Sequence, residues 1–422
     1  MPTNPAIPAS LPPRLRGIEE LRTRTPMYDA VIEEIEGRRI RVGERWLVDW
    51  ASCNYLGLDS DDEIVAAVTE QVGRWGTHPG WSRMLGNPRL YPQIEERLSA
   101  LLHADDTLLL PTISQIHTSV IPILAGGGTV VVESDAHKTV YDGCVHARGL
   151  GATLRRFSSG DLQHLADHLR SAPTGPRLVC VDGVHSMSGT VPDLAAYARV
   201  CRDHGAVLYV DDAHGFGVIG ERRTDEGSPY GWGGNGIVRH RGESYDGIVL
   251  VGGFSKAYSS MLAFLAVPAA LKDHLKIAAA PYLYSGPSPI ASLAGALAGL
   301  EVNATRGEAL RARIHRLTRR ILDHVRRLGV RTLNTDGTPI IELPIAAGRD
   351  LVDVAHQLWR QGLYVTLVPY PGVPHDQVGF RIQVTAAHTD AQVEELMLGL
   401  TELAGGGVLR PAPREPRRSV RD

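Results

Sequence analysis

The sequence lacks several features that would point to whole classes of protein. Its 422 residues hold four cysteines, Cys53, Cys144, Cys180 and Cys201, scattered and without a C-x-x-C pair. This spacing suggests neither a disulfide framework nor a thiolate zinc site, and it favours free thiols in a reducing compartment. The net charge is only -3, so no broad attraction to nucleic acid or anionic lipid is expected.

Targeting and membrane signals are also missing from the pattern. The N-terminal segment MPTNPAIPASLPPRLRG lacks the basic start and apolar core of a signal peptide. The longest apolar run, around residues 290–300, falls short of the roughly 20 residues that span a bilayer. The seventeen histidines show no H-E-x-x-H arrangement, so no metal site is predicted. We therefore expect a cytoplasmic protein that binds small molecules rather than nucleic acid or membrane.

Between Pro-rich ends, short β-rich runs alternate with longer helical patterns. Seven of these runs are nearly continuous in apolar residues: 106–110, 129–133, 152–157, 177–182, 206–211, 247–252 and 262–267. Such strands, separated by amphipathic helices, predict an α/β fold with a mostly parallel sheet covered by helices on both faces. The pattern after residue 285 predicts a smaller α+β domain. The expected domains are an N-terminal arm (1–50), a large domain (51–285), a small C-terminal domain (286–404) and a flexible tail (405–422).

The strand in AVLYVDDAHGFGVIGE ends in acidic residues. Asp211 and Asp212 close the apolar run, and His214 follows in a Gly-rich loop. Ligands of open α/β sheets collect at the carboxyl edge of the strands, so these side chains are candidates for a site. A carboxylate there can keep a pyridine nitrogen protonated, and an imidazole can bond a phenolic oxygen of the same ring. The alternative is an aspartate that caps a turn beside a surface histidine.

Two further segments place polar side chains after strands. In GIVLVGGFSKAYSSM, Lys256 follows an apolar strand among small residues. Such a lysine is usually a solvated charge, but its amine is a nucleophile for a carbonyl cofactor where the surroundings favour the neutral form. In VDGVHSMSGTVPDL, Ser186 follows a strand in a polar loop. An ordinary strand-to-helix connection, with Asp193 near the helix start, is the alternative there.

Taken together, DGVHSMSG, VDDAHGFGVIGE and GFSK resemble the α-oxoamine synthase family of fold-type I enzymes that depend on pyridoxal 5'-phosphate (PLP). Three more segments extend the resemblance: CNYLGL (53–58) is similar to N-N-Y-L-G-L, WSRMLGN (81–87) to G-S-R-x-x-x-G, and FRIQVTAAHT (380–389) to R-I/L-x-x-T-x-x-H-T. Six motifs in the family's order, between about residues 50 and 400, are far more specific than any single one.

The resemblance implies roles for individual residues of a PLP site. Lys256 matches the lysine that holds PLP as a Schiff base, Asp211 the partner of the pyridine nitrogen, and His214 the group near the phenolic oxygen. His137, in ESDAHKTVYDG, matches the histidine that stacks on the ring face, and Ser186 matches a polar cofactor contact.

The resemblance also implies contacts to the amino-acid substrate. Asn54 and Arg381 match residues that hold it, Arg381 as a bidentate clamp on the α-carboxylate, and Thr385 belongs to the same C-terminal motif. Without the resemblance, an arginine on a strand would be assigned to a surface ion pair.

The sequence departs from the family pattern where the phosphate is held. Gly253 replaces the threonine usually found three positions before the lysine, and PTISQ (111–115) replaces an S-G-Y/F loop. Backbone N–H groups at the start of the following helix can still bind a phosphate. The predicted contacts are Thr112, Ile113, Ser114 and Ser255.

Other departures affect the implied subunit boundary. Gly286, in YSGPSP, replaces a threonine that the second subunit of a family dimer supplies, and Tyr91 stands where a histidine is common. About a dozen extra residues lie between Gly227 and Asp246. A homodimer is still expected, because the family builds each site where two subunits meet.

The reaction that the resemblance implies is decarboxylative condensation of an α-amino acid with an acyl thioester, giving an α-aminoketone. This makes the chain a PLP-dependent acyltransferase. One alternative is a diverged PLP enzyme of specialised metabolism that carries out transamination or side-chain replacement. Another is a PLP-binding regulator or scaffold without activity, against which the retained lysine, aspartate and two histidines argue.

Overall fold

The computed structural model of the chain describes residues 13–223 and 228–413. Residues Cys53–Ser186 and Thr190–His315 form the larger of two compact units. The described residues up to Ser52, with Met187–Gly189 and those from Arg316 onward, form the smaller unit. This division differs from the domain limits expected from sequence, because the N-terminal residues join the C-terminal ones in one unit.

The described residues form the following elements. The strands are β1 Glu34–Glu36, β2 Arg39–Val42, β3 Arg45–Asp49, β4 Asp106–Leu110, β5 Thr129–Glu133, β6 Thr153–Phe157, β7 Arg177–Asp182, β8 Val207–Asp211, β9 Ile248–Gly253, β10 Ala263–Val267, β11 Ile340–Pro344, β12 Leu363–Tyr364, β13 Thr366–Val368 and β14 Gly379–Gln383. The helices are α1 Pro13–Arg24, α2 Asp62–Trp75, α3 Leu90–Leu102, α4 Ile113–Ala125, α5 Lys138–Gly149, α6 Leu162–Arg170, α7 Leu194–Asp203, α8 Gly236–His240, α9 Ala269–Ala278, α10 Ala280–Leu283, α11 Ile290–Arg327, α12 Leu351–Arg360 and α13 Asp390–Gly405.

The larger unit contains a seven-stranded sheet in the order β4-β10-β9-β8-β7-β5-β6. Strand β10 is antiparallel to both of its neighbours, and the pairs from β9 to β6 are parallel. The predicted α/β fold with a mostly parallel sheet is therefore confirmed. The central strands β5, β7, β8 and β9 are almost entirely buried, as expected of a parallel sheet covered by helices on both faces, whereas the edge strand β6 is partly exposed.

The register of this sheet brings the ends of four strands together. Asp182 at the end of β7 pairs with Asp211 at the end of β8, and Asp211 pairs with Val251 of β9. On the other side of β7, strand β5 ends in Glu133. Because these strands are parallel, their carboxyl ends lie at one edge, where ligands of such sheets bind.

The smaller unit has two sheets, in the orders β1-β2-β3-β12 and β11-β14-β13. Its apolar core includes Ile341 of β11 and Phe380 of β14, side chains that alternate along their strands with Glu342 and Arg381. Glu342 and Arg381 are themselves cross-strand partners. The second sheet therefore has one apolar face in the core and one face with polar side chains.

The described residues next to both undescribed ends form more structure than their composition predicts. Residues 406–413, assigned from sequence to a flexible tail, include the buried Val408 and Leu409, and Leu409 bridges to Ile345. Helix α1 lies in the segment expected to be an arm, and a proline at a first helical position is compatible with helix because its missing N–H has no intrahelical partner there. Residues 1–12 and 414–422 lie outside the described residues.

Within residues 13–223 and 228–413, no helix is both long enough and apolar enough to cross a bilayer.

Candidate active site

A cavity of about 300 Å³ opens at the carboxyl edge of the seven-stranded sheet. All of its lining residues belong to the larger unit: Thr112, Ile113, Ser114, His137, Thr139, Asp182, Val184, Ser186, Asp211, Ala213, His214, Ser255, Lys256, Met261 and Leu262. They include every cofactor-binding residue expected from sequence.

Asp211 is the ionised carboxylate of this cavity. Burial alone would raise its pKa, but the charge and hydrogen bond of His117, with Lys256 and His137 nearby, outweigh burial and lower the pKa to about 2. His117 is fully buried, with Nε2 2.9 Å from Asp211 Oδ2 and Nδ1 2.8 Å from the Tyr209 hydroxyl. Burial keeps the pKa of Tyr209 well above its usual range, so its O–H is available to donate to Nδ1, which leaves Nε2–H for Asp211.

Asp212 differs from Asp211 although the two are adjacent in sequence. It does not line the cavity, and its Oδ2 accepts the backbone N–H of Ile237 at 2.8 Å. Burial, with the negative charge of Asp211 adding to it, raises the pKa of Asp212 to about 8. Asp212 therefore holds the start of α8, which lies in the insertion between Gly227 and Asp246, whereas Asp211 lines the cavity.

His214 and His137 belong to different segments and are held by different hydrogen bonds. His214 Nδ1 lies 2.8 Å from the hydroxyl of Tyr55, which is fully buried. His137 is the N-cap of α5, and its backbone N–H donates to Asp182 Oδ1 at 2.9 Å. The His214 ring is thus fixed from a distant segment, whereas the His137 ring contacts Thr139 of its own segment at 2.8 Å and only its backbone is held by Asp182.

The start of α4 is the candidate phosphate site. Thr112 caps the helix by accepting the backbone N–H of Gln115, and Ser114 and Ser255 also line the cavity. A helix N-terminus of this kind offers free N–H groups and a partial positive charge to an anion.

Gly253 has a steric explanation that sequence alone did not provide. A Cβ atom at this position would lie 2.5 Å from Cδ1 and 3.1 Å from Cγ1 of Ile113, which lines the cavity. A threonine at 253 would therefore require the Ile113 side chain to shift. The sizes of the side chains at 253 and 113 are thus coupled.

The predicted substrate contacts are placed elsewhere. Asn54 belongs to the larger unit but is not among the residues that line the cavity. Arg381 and Thr385 belong to the smaller unit. Thr385 is fully buried, and its hydroxyl lies 3.0 Å from His388 Nδ1, which gives it a role in positioning that motif. The roles of Asn54, Arg381 and Thr385 in binding substrate remain predictions.

The donor set of the cavity fits PLP. Lys256 supplies an amine for the aldehyde, and Asp211 supplies a buried negative charge for the pyridine nitrogen. The start of α4 and three hydroxyl groups supply donors for the phosphate. Within the described part of the chain, no group of three or more His, Cys, Asp or Glu side chains is arranged to hold a metal ion.

Comparison with known proteins places this site in a family. Residues 46–400 match the family Aminotransferase class I and II, and the chain belongs to it. The 8-amino-7-oxononanoate synthase of Stutzerimonas stutzeri is 32% identical over 390 residues, which cover 92% of this chain and 94% of that protein. The enzyme of the same name from Pseudomonas putida is 33% identical over 375 residues, which cover 88% and 92%. The solved structure of serine palmitoyltransferase from Sphingomonas wittichii superposes with a TM-score of 0.82 at 25% identity, covering 92% of this chain and 96% of that one.

These matches confirm the resemblance and the fold-type I fold expected from sequence. They also confirm that the chain is a PLP-dependent enzyme of the acyltransferase type.

Sequence reasoning missed several residues of the site, among them His117, Tyr55 and Asp182. His117 and Tyr55 each bond to a predicted residue from a distant segment, and Asp182 lines the cavity itself. A signal for Asp182 was present, since RLVCVD ends in an acidic residue as AVLYVD does. His117 lies one helical turn after Ile113, but nothing in the local sequence indicates that this histidine contacts Asp211.

Proposed function

We propose that this chain joins an α-amino acid to an acyl thioester, with loss of the carboxylate as carbon dioxide and of the thiol, and releases an α-aminoketone. The observation that carries the proposal is the ionised Asp211 in the same cavity as Lys256. Relatives named 8-amino-7-oxononanoate synthase and serine palmitoyltransferase support this reaction class. The amino acid and the acyl chain are left open.

Bound PLP supplies an electron sink that lets the Cα carbon of an attached amino acid act as a nucleophile. Asp211 contributes a negative charge that keeps the pyridine nitrogen protonated, and His117 keeps Asp211 ionised. Lys256, which lines the same cavity, would take up and return the proton at Cα. His137 would cover a face of the ring and exclude water there, and His214 would hold the phenolic oxygen.

The α-carboxylate of the substrate is assigned to Arg381. A bidentate guanidinium fixes both oxygens of a carboxylate, which orients the bond that must break. This role rests on the match of FRIQVTAAHT to the family motif.

The reaction is tested with the purified protein, PLP, carboxyl-labelled amino acids and a panel of acyl thioesters. Labelled carbon dioxide should appear only when amino acid and thioester are both present, with an aminoketone of matching mass. Lys256→Ala should abolish release, and Lys276→Ala, a change in an exposed ion pair, should not. Conversion of the amino acid into an oxo acid without release of label would favour the alternative, transamination, and overturn the proposal.

The chain is further proposed to act as a homodimer. The larger unit exposes four large apolar side chains on two segments that contact each other. They are Trp81, Met84, Leu85 and Tyr284. The two segments meet where the Ser82 hydroxyl donates to the Leu283 carbonyl at 2.9 Å. Contiguous exposed apolar surface marks an interface, and a second copy fits because YSGPSP matches the segment that reaches across in the resembled family.

Assembly is tested by sedimentation velocity. Leu85→Glu should convert the dimer to a monomer, whereas Leu150→Glu, at an equally exposed site on the larger unit, should leave it intact. A wild-type protein that is monomeric at assay concentration and fully active would exclude the homodimer. The cytoplasmic location stays a prediction.

A further inference from the structure

The cavity contains a second buried carboxyl group beside Asp211. Asp182 ends β7 directly opposite Asp211 on β8, so both side chains emerge from the same edge of the sheet. Both line the cavity, and both are almost completely buried. Asp182 Oδ1 accepts the backbone N–H of His137 at 2.9 Å, so its other oxygen is the one left for a partner in the cavity.

The surroundings of the two carboxyls are opposite. Asp211 has the ring of His117 against it, which favours its ionised form. Asp182 accepts the backbone N–H of His137 instead of facing an imidazole. Burial, and then the negative charge of Asp211, raise its pKa well above its usual range; Glu133 adds to the rise, and the His137 N–H and Lys256 offset it only in part. Ionising two neighbouring buried carboxyls costs free energy because their charges repel. Their environments therefore favour the ionised form of one and the neutral form of the other.

Other ionisable groups around Asp182 do not alter this assignment. Glu133 comes from β5 and accepts the hydroxyls of Ser159 and Tyr197 at one oxygen, both at 2.7 Å. His185 follows β7, and its Nε2 lies 3.9 Å from the other Glu133 oxygen. His185 is thus directed at Glu133.

We propose that Asp182 is a positioning residue of the cofactor cavity that acts as a neutral carboxylic acid, holding His137 through one oxygen and donating a hydrogen bond into the cavity from the other. The inference rests on the proposed PLP site. A neutral acid in this place orients a ring without adding a second negative charge, so the charge of Asp211 alone sets the protonation of the bound cofactor.

The test compares Asp182→Asn, Asp182→Ala and Asp211→Asn in the PLP-loaded protein. Two quantities are measured: the dissociation constant of PLP and the pH midpoint of the visible absorption band. An asparagine has the shape of a neutral aspartic acid, accepts the His137 N–H and still donates. Asp182→Asn should therefore stay within about threefold of wild type in affinity and keep the midpoint.

The other two variants show how far PLP affinity and the pH midpoint move when a hydrogen bond or a charge is lost. Asp182→Ala removes both hydrogen bonds and should weaken PLP binding about tenfold or more, which corresponds to about 1.4 kcal/mol. Asp211→Asn removes the ionised partner and should displace the midpoint by about one pH unit or more. If Asp182→Ala does not fold, the isosteric asparagine variant still decides the question.

An Asp182→Asn midpoint that falls as far as that of Asp211→Asn would overturn the inference, because loss of a real negative charge near Lys256 makes the bound cofactor easier to deprotonate. An unchanged affinity in Asp182→Ala would also overturn it. A wild-type protein that takes up no PLP would instead refute the proposed function, and the role of Asp182 with it.

Discussion

Glu342 makes the smaller unit sensitive to pH, and replacing it by glutamine should remove that sensitivity. The side chain is 1% exposed on β11, and neither oxygen makes a hydrogen bond of normal geometry among the described residues. Burial raises its pKa to about 7, because Arg331 and the nearby backbone N–H of Leu333 offset burial only in part and Asp376 adds to it.

The sign of the effect follows from proton binding. Between the ordinary pKa of 4.5 and about 7 the folded protein holds this proton more tightly than the unfolded chain. Stability must therefore fall as pH rises through that window. About 2.5 pH units at about 1.4 kcal/mol each give a loss of about 3 kcal/mol between pH 4.5 and pH 8.

Urea unfolding at fixed protein concentration measures the effect at pH 5 and pH 8. Glu342→Gln should gain stability over wild type at pH 8 by about 2–3 kcal/mol more than at pH 5. The comparison between the two pH values cancels any constant cost of the buried amide, and Glu342→Leu should give the same difference. A gap between wild type and variant that is the same at both pH values would refute the raised pKa.

The remaining predictions concern the site. Lys256→Ala should lose the visible absorbance that the PLP-loaded wild type shows, and a reduced sample with the pyridoxyl group on another lysine would disprove the assignment. His117→Leu should weaken PLP binding and shift the pH midpoint of the visible band, and an unchanged midpoint would show that this histidine is only structural. Gly253→Thr should destabilise the protein by about 1–3 kcal/mol, and adding Ile113→Gly should restore part of it; additive effects would contradict the steric coupling. Arg381→Ala should raise the dissociation constant of the amino acid by a factor that corresponds to about 2–5 kcal/mol, with PLP spectra unchanged, whereas Arg381→Lys should retain part of the affinity.

The sheet was predictable because its strands are buried on both faces. RLVCVD and TVVVE become β7 and β5 with the predicted bounds, and the other runs begin or end within a residue or so of the observed strands. A nearly continuous apolar run has few other uses at this length. The antiparallel direction of β10 was not predictable, since LAFLAV is apolar on both faces whichever way it runs.

The ends of the chain show the opposite case. Val408 and Leu409 are buried, and Leu409 bridges to Ile345, but two adjacent apolar residues in a Gly- and Pro-rich stretch produce no periodicity. The burial of Glu342 was likewise not predictable, because nothing in TPIIELPI indicates that its acidic side chain is closed to water. Only the packing of the smaller unit shows that this position is closed to water.

The site residues were predictable to the extent that they end strands or follow them in short loops. Asp211, His214 and Lys256 lie at such positions, and the resemblance then gave them roles. The groups that set their properties come from elsewhere: Tyr55 is 159 residues from His214, and His117 is 94 residues from Asp211. No local pattern links partners at that distance.

The exchange at Ile113 and Gly253 bears on how the departures from the family pattern should be interpreted. Taken singly, the loss of a threonine before Lys256 suggests a weakened phosphate site and hence a different chemistry. A Cβ at 253 would lie 2.5 Å from Cδ1 of Ile113, so the large residue at 113 favours a small one at 253. The hydroxyls of Thr112, Ser114 and Ser255 still line the cavity at the start of α4. Since Asp211 and Lys256 also line the cavity, the substitutions are confined to the proposed phosphate site and give no reason to expect a change in the proposed reaction.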